Sequence, residues 1–285
     1  MASFGTLLRI ELIKAIRRPM TWILGIIFIG FMGFMYGVLS LAALVTTVED
    51  AEGMELAGLE EQMMLPDGLA FGSSLVVGVG AVVMIIFAAG IYGSEFGWAT
   101  IRTVLLMRAP RIPLVIAKLA MILVMTAVVA LVGIVISIAG SLAFEALAAE
   151  SPDIGSRLNT EMFSDALVIY LRSTAAIFAW ALMGGMLALA LNSMAIGTGI
   201  ALAIYFIGDL IVTLIAQVGA LGEWFARFMP TWGINALIQM NQVTPPEYST
   251  WETVGIFVNL IGYAIIFLAL GILRFREADV LAKSS

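Results

Sequence analysis

Residues 73–92 read SSLVVGVGAVVMIIFAAGIY, twenty positions without a charge. A helix rises about 1.5 Å per residue, so this stretch is about 30 Å long, the thickness of a bilayer's hydrocarbon core. It is followed at residues 93–113 by GSEFGWATIRTVLLMRAPRIP, in which one acid, three arginines and two prolines end the apolar run. A membrane span that empties into a basic connection is the unit from which the rest of the chain can be read.

Working outward, five further segments are long and apolar enough to span. The six expected spans are Met20–Val45, Ser73–Tyr92, Leu114–Ala139, Ala166–Leu191, Ala195–Ala220 and Thr253–Leu273. The fourth and fifth are separated only by Asn192, Ser193 and Met194, which requires a tight turn at one surface. Composition agrees with this count. The chain has 285 residues, 62% hydrophobic and 12% charged, about half the charge of a soluble domain. The fold class is therefore an all-α integral membrane protein in one domain, residues 1–285. Residues 1–19 precede the spans, residues 20–273 hold them, and residues 274–285 form a tail.

Lysine and arginine set the orientation. Most of the fourteen basic residues fall in the N-terminal segment (Arg9, Lys14, Arg17, Arg18), the second-to-third connection (Arg102, Arg108, Arg111, with Lys118 just inside the next span) and the tail (Arg274, Arg276, Lys283). The first, third and fifth connections are acidic. An even number of spans then puts both termini on the cytoplasmic face of the inner (plasma) membrane. The apolar run from Thr21 is too long for a cleaved signal sequence and reads as a retained span.

Several chemistries are excluded by what is missing. The chain has no histidine and no cysteine, which removes the usual general base, metal ligand and thiol nucleophile. No G-x-x-x-x-G-K-[ST] sequence is present, so it cannot cradle ATP with a phosphate-binding loop. The net charge of −6 gives no support to nucleic-acid binding. The chain itself is expected to be no enzyme and to bind no cofactor.

Four features outside the plain spans stand out. Phe4–Arg18 reads as an amphipathic helix on the cytoplasmic leaflet, with Phe4, Leu8, Leu12, Ala15 and Ile16 on one face and Glu11, Lys14, Arg17 and Arg18 on another. In the second-to-third connection, Trp98, Ile101, Val104, Leu105 and Leu106 recur at near-helical spacing. A cytoplasmic helix with an apolar face needs a protein partner or the lipid headgroups to cover it. In the acidic loops, Met54–Met64 reads as a short helix, and Trp224–Met240, with two tryptophans around Pro230, as an interfacial helix, a re-entrant helix or an anchored loop. Asp209, inside the fifth span, carries an insertion cost of about 2.5–3.5 kcal/mol and must face protein or water. It either lies on a translocation path or pairs with Arg172 of the fourth span, about 9 Å away in height. Glycines stripe the first span (Gly25, Gly30, Gly33, Gly37) and mark the fourth and fifth (Gly184, Gly185, Gly197, Gly199), where close helix packing is expected, within the chain or between chains.

The order of the basic connection resembles the type 2 ABC transporter permease family. The resemblance rests on Gly93-Ser94-Glu95, Trp98-Ala99-Thr100-Ile101-Arg102, Leu105-Leu106, Arg108-Ala109-Pro110-Arg111 and Lys118-Leu119. It extends to Arg17-Arg18-Pro19, Leu191-Asn192-Ser193, Met229-Pro230-Thr231-Trp232 and the closing Arg274-Phe275-Arg276-Glu277-Ala278-Asp279-Val280. Ala99 and Ile101 stand where the family more often has Gly and Leu. The resemblance implies the membrane subunit of an ATP-driven exporter, paired with a second permease subunit and with cytoplasmic ATP-binding subunits that hold ATP and Mg. It implies that Glu95, Trp98, Thr100, Ile101, Arg102, Leu105 and Arg108 form a coupling helix on the ATP-binding subunit. Asn192 would add a second contact, and Glu11, Lys14, Arg17 and Arg18 would lie on an elbow helix. It also places a dimer seam between the first and fifth spans. Apolar span walls would suit a hydrophobic or amphipathic cargo such as a lipid, peptide or drug. A secondary transporter or channel would call for more intramembrane charge and a repeat between halves, and a membrane scaffold for no turnover at all.

Overall fold

The computed structural model describes residues 4–48, 62–97, 111–148 and 159–277. Among them the order is α1 (Phe4–Arg17), α2 (Pro19–Val48), α3 (Asp67–Gly97), α4 (Arg111–Ala148), α5 (Thr160–Ala190), α6 (Met194–Ala216), α7 (Ala220–Ala226), α8 (Pro230–Gln239) and α9 (Thr250–Glu277). No strand occurs among the described residues. Six helices, α2 to α6 and α9, are long and apolar enough to cross a membrane. Each expected span has its helix. Most helices run past the apolar window, because a polar residue at a membrane surface ends a hydropathy signal without breaking the backbone ladder. The extreme is α4, with 38 residues and so about 57 Å long, which continues nine residues beyond Ala139 through Ser141 and Glu145.

The bundle is organised around α3. Its apolar window is 67% buried, against 22% for α2 and 11% each for α6 and α9. It packs most extensively on α5, then on α4, α6 and α2. Glycine permits the closest approaches: a Cβ on Gly197 of α6 would collide with the backbone of Ala188 on α5, and one on Gly133 of α4 with Val76 of α3. The glycines of α2 behave differently. A Cβ at Gly25, Gly30, Gly33 or Gly37 would meet nothing within 4 Å, so among the described residues nothing packs closely on this stripe.

Between α6 and α9 the chain turns back on itself. Gly219, with φ +89°, reverses direction, and α7 returns so tightly along α6 that a Cβ on Gly222 would collide with the carbonyl of Ile215. The chain turns at Arg227–Met229 and climbs back as α8. That turn is held by α9: Asn259 Nδ2 donates to the carbonyls of Arg227 (2.9 Å) and Met229 (3.1 Å), and Tyr263 Oη donates to that of Phe228. Tyr263 lies about 20 Å along α9 from Thr250, so the turn reaches roughly mid-bilayer depth. Of the expectations for Trp224–Met240, the re-entrant form is the one adopted. Two helices are present rather than one because Pro230, lacking an N–H, starts a new helix at its first position. The helix expected at Met54–Met64 falls mainly outside the described residues.

The contrast between packed and open glycines is testable. Gly197→Ala should destabilise the protein by about 1–3 kcal/mol, read as a lower melting temperature in detergent. Gly262→Ala on α9, where a Cβ would likewise meet nothing within 4 Å, should leave it within about 0.5 kcal/mol.

Candidate functional site

Helix α1 lies at the end of the bundle where the basic residues gather, and its seating is electrostatic. Glu11 and Lys118 of α4 are each 3% exposed in their side chains, with Lys118 Nζ 3.1 Å from one carboxylate oxygen. Lys14 Nζ lies 2.7 Å from the other oxygen. Burial pushes the Glu11 carboxyl up, but the two ammonium groups outweigh it, and the group sits below its ordinary value of 4.5. This corrects the amphipathic reading of α1. Glu11 does not share a solvent face with Lys14, Arg17 and Arg18; it points into the bundle beside buried Ala15, while Phe4 and Ile16 are about half exposed. Lys118, fixed in an apolar helix, has to be answered by a carboxylate, and that requirement rotates α1.

Three further contacts tie the same end together. Arg18 Nη1 donates to Ser94 Oγ of α3 (3.4 Å), and Tyr92 Oη donates to the Val115 carbonyl of α4 (3.0 Å). A Cβ on Gly93 would sit 2.5 Å from the backbone of Met194, so the end of α3 abuts the turn between α5 and α6. That turn is built as its sequence demands. Asn192 takes φ +51°, a left-handed conformation that asparagine tolerates, and Ser193 caps α6 by accepting from the Ile196 N–H (3.3 Å). The end of α3, the start of α4, the α1–α2 junction and the Asn192 turn thus converge. Glu95 lies in the last turn of α3, next to Ser94. Trp98, Thr100, Ile101, Arg102, Leu105 and Arg108 lie outside the described residues.

The intramembrane residues do not meet. Arg172 Nη1 donates to the carbonyl of Met240 at the end of α8 (2.7 Å). It lines a cleft of about 380 Å³ with Asp67, Asp165 and Gln242. Asp209 accepts from Asn235 Nδ2 of α8 and lines a separate notch of about 260 Å³ with Thr213, Trp232, Gln239 and Tyr248. The expected Arg172–Asp209 pair is therefore not formed: the re-entrant hairpin comes between α5 and α6 and supplies a partner to each. Sequence reading passed over Asn259 and Tyr263, although an amide and a phenol four residues apart in an apolar span mark one polar stripe. Among the described residues no cluster of Asp and Glu could hold a metal ion.

Six apolar helices, of which α3 is the buried central one, with charge confined to the ends and to a few answered positions, define a multi-pass membrane protein. Its sequence matches the family described as ABC-2 family transporter protein over residues 7–209, most of the chain. The chain belongs to that family, a membrane component of ABC transport systems. No curated protein matches it.

The buried pair makes an asymmetric prediction. Lys118→Met leaves Glu11 buried without its main counter-charge and should cost about 3–5 kcal/mol, whereas the double variant Glu11→Leu, Lys118→Met should be nearly neutral. Because the folded Glu11 value is depressed, its contribution is complete above pH 4.5 and is lost as pH falls through the lower folded value. Thermal melts of the two variants between pH 7 and pH 3 check both statements: the double variant should lose less stability on acidification than the wild type.

Proposed function

We propose that this chain is the permease subunit of an ATP-driven ABC exporter. It pairs with a second permease subunit and with separate cytoplasmic ATP-binding subunits, which hold ATP and Mg and carry out hydrolysis. The basic end is the cytoplasmic one by the distribution of Lys and Arg, so both termini face the cytoplasm across the inner (plasma) membrane. The observation that carries the reading is the convergence at this end of the α1–α2 junction, the end of α3, the start of α4 and the Asn192 turn. Residues 98–110 connect the end of α3 to the start of α4, both of which belong to this clamped base. A push delivered there by an ATP-binding subunit passes directly into α3, the most buried span, and through Glu11 and Lys118 into α1 and α4 together. Helix α1 acts as the elbow.

The uncovered glycine stripe of α2 and the largely exposed α6 supply the seam for the second permease subunit. Small residues favour such contacts in lipid, where packing rather than hydrophobicity drives association. The transport path then runs beside α6, and its apolar walls suit a hydrophobic or amphipathic cargo. Outward transport follows from the family resemblance.

The test is uncoupling. Glu95→Ala and Trp98→Ala, made in the full transporter in liposomes, should each lower transport per ATP hydrolysed by about tenfold or more, a loss of about 1.4 kcal/mol in coupling. Their melting temperatures should stay unchanged. Undiminished coupling in both variants would refute the docking assignment.

A further inference from the structure

Asp209 lies about 22 Å along α6 from Met194, well inside the span. Its side chain is exposed and takes one hydrogen bond, from Asn235. The nearest basic side chains in the re-entrant region are committed elsewhere: Arg172 to the Met240 carbonyl and Arg227 to Glu252 at 3.2 Å. The hydroxyls around the notch have also spent their protons. Tyr248 Oη donates to Gln239 Oε1 (3.0 Å), and Thr213 Oγ1 donates back to the Asp209 carbonyl (2.9 Å). What these groups still offer is acceptor oxygen: the second carboxylate oxygen of Asp209 and the lone pairs of Tyr248 and Thr213. Trp232 also lines the notch, and an indole offers a large apolar surface for an aliphatic or aromatic body. The surroundings set the rest of the ligand. Beside Asp209 on the same helix Phe206 is exposed and apolar, and Val212 and Ala236 line the notch.

We propose that the Asp209 notch binds the ammonium head of a hydrophobic amine, whose apolar body lies against Phe206, Val212 and Trp232 on the Asp209 side of α6. A primary ammonium brings three donors and a positive charge to a notch whose one charged lining group is the Asp209 carboxylate. A volume of about 260 Å³ holds the head group together with the adjoining part of the body. This deepens the exporter reading and rests on it for one point only, that α6 borders the transport path. The binding site itself stands on the geometry of this chain.

The experiment is a fluorescence titration of the full chain in lipid nanodiscs with dansylcadaverine, a primary amine on an aromatic body, beside its N-acetyl derivative, which has lost the charge. The wild type should bind the amine saturably and at least about tenfold more tightly than the acetylated probe. Asp209→Asn should abolish that preference, and Asp209→Glu should keep most of it. Equal binding of the two probes by the wild type, or an undiminished preference in Asp209→Asn, would overturn the proposal. The comparison of probes on the wild type decides the matter even where a variant fails to fold. Since no ATP-binding subunit takes part, loss of amine preference alongside intact coupling sinks only this inference. Intact preference without coupling sinks only the exporter reading.

Discussion

In hydrocarbon a charge or a free backbone carbonyl has no water to turn to and must be answered from within the protein. The described structure follows from that constraint more than from helix propensity. Lys118 is answered by Glu11 from a helix outside the spans. Arg172 is answered by the last carbonyl of α8, one of those that every helix end leaves over. The turn of the hairpin, where no ladder is available, is answered by Asn259 and Tyr263. Removing one of these groups leaves its partner unsatisfied, at a cost larger than the net worth of the bond.

The same accounting explains how α3 holds its neighbours. Tyr36 of α2 and Tyr205 of α6 donate to the carbonyls of Gly68 and Gly78 on α3, at 3.2 and 2.8 Å, while Tyr92 of α3 donates to α4. Interhelical hydrogen bonds in lipid average only about 0.6 kcal/mol, so these phenols fix register and rotation rather than supply the bulk of stability. Bulk stability comes from close packing at Gly133, Gly184 and Gly197, where side chains or backbone fill the space a Cβ would need. Helices α2, α6 and α9, which lack a second layer, keep long apolar faces open.

What the sequence made legible divides along the same line. The spans could be read because hydropathy is a property of a segment and does not depend on what the segment touches. The Asn192–Ser193 turn was legible for a related reason, since a left-handed residue and a helix cap are satisfied locally. Glu11 was misread because its face is chosen by Lys118, more than a hundred residues away, against the apolar moment of its own helix. Of the two readings open for Asp209, the pair with Arg172 fails because a height difference along two helices says nothing about a third element coming between them. Only the fold brings the α7–α8 hairpin there. The glycine stripe of α2 was legible as a feature but not as an open one, because sequence spacing does not distinguish a filled groove from an empty one.

The two ends of the bundle differ in kind, and that difference has a mechanical sense. The basic end is cross-linked by the ion pair of Glu11, the Arg18–Ser94 and Tyr92–Val115 bonds and the contact of Gly93 with Met194. The acidic half holds polar clefts of about 380 and 260 Å³ around a hairpin held by a handful of side-chain bonds, while the basic half opens an apolar groove of about 410 Å³ between α2, α3 and α4, beside those cross-links. Breaking a packed, ion-paired base costs several kcal/mol, whereas shifting a hairpin bordered by clefts trades a few hydrogen bonds of modest net value. Under the proposed coupling, work applied at the clamped end is therefore transmitted as rigid-body motion of α1, α3 and α4. It is spent where resistance is lowest, on α6, α8 and the notch around Asp209.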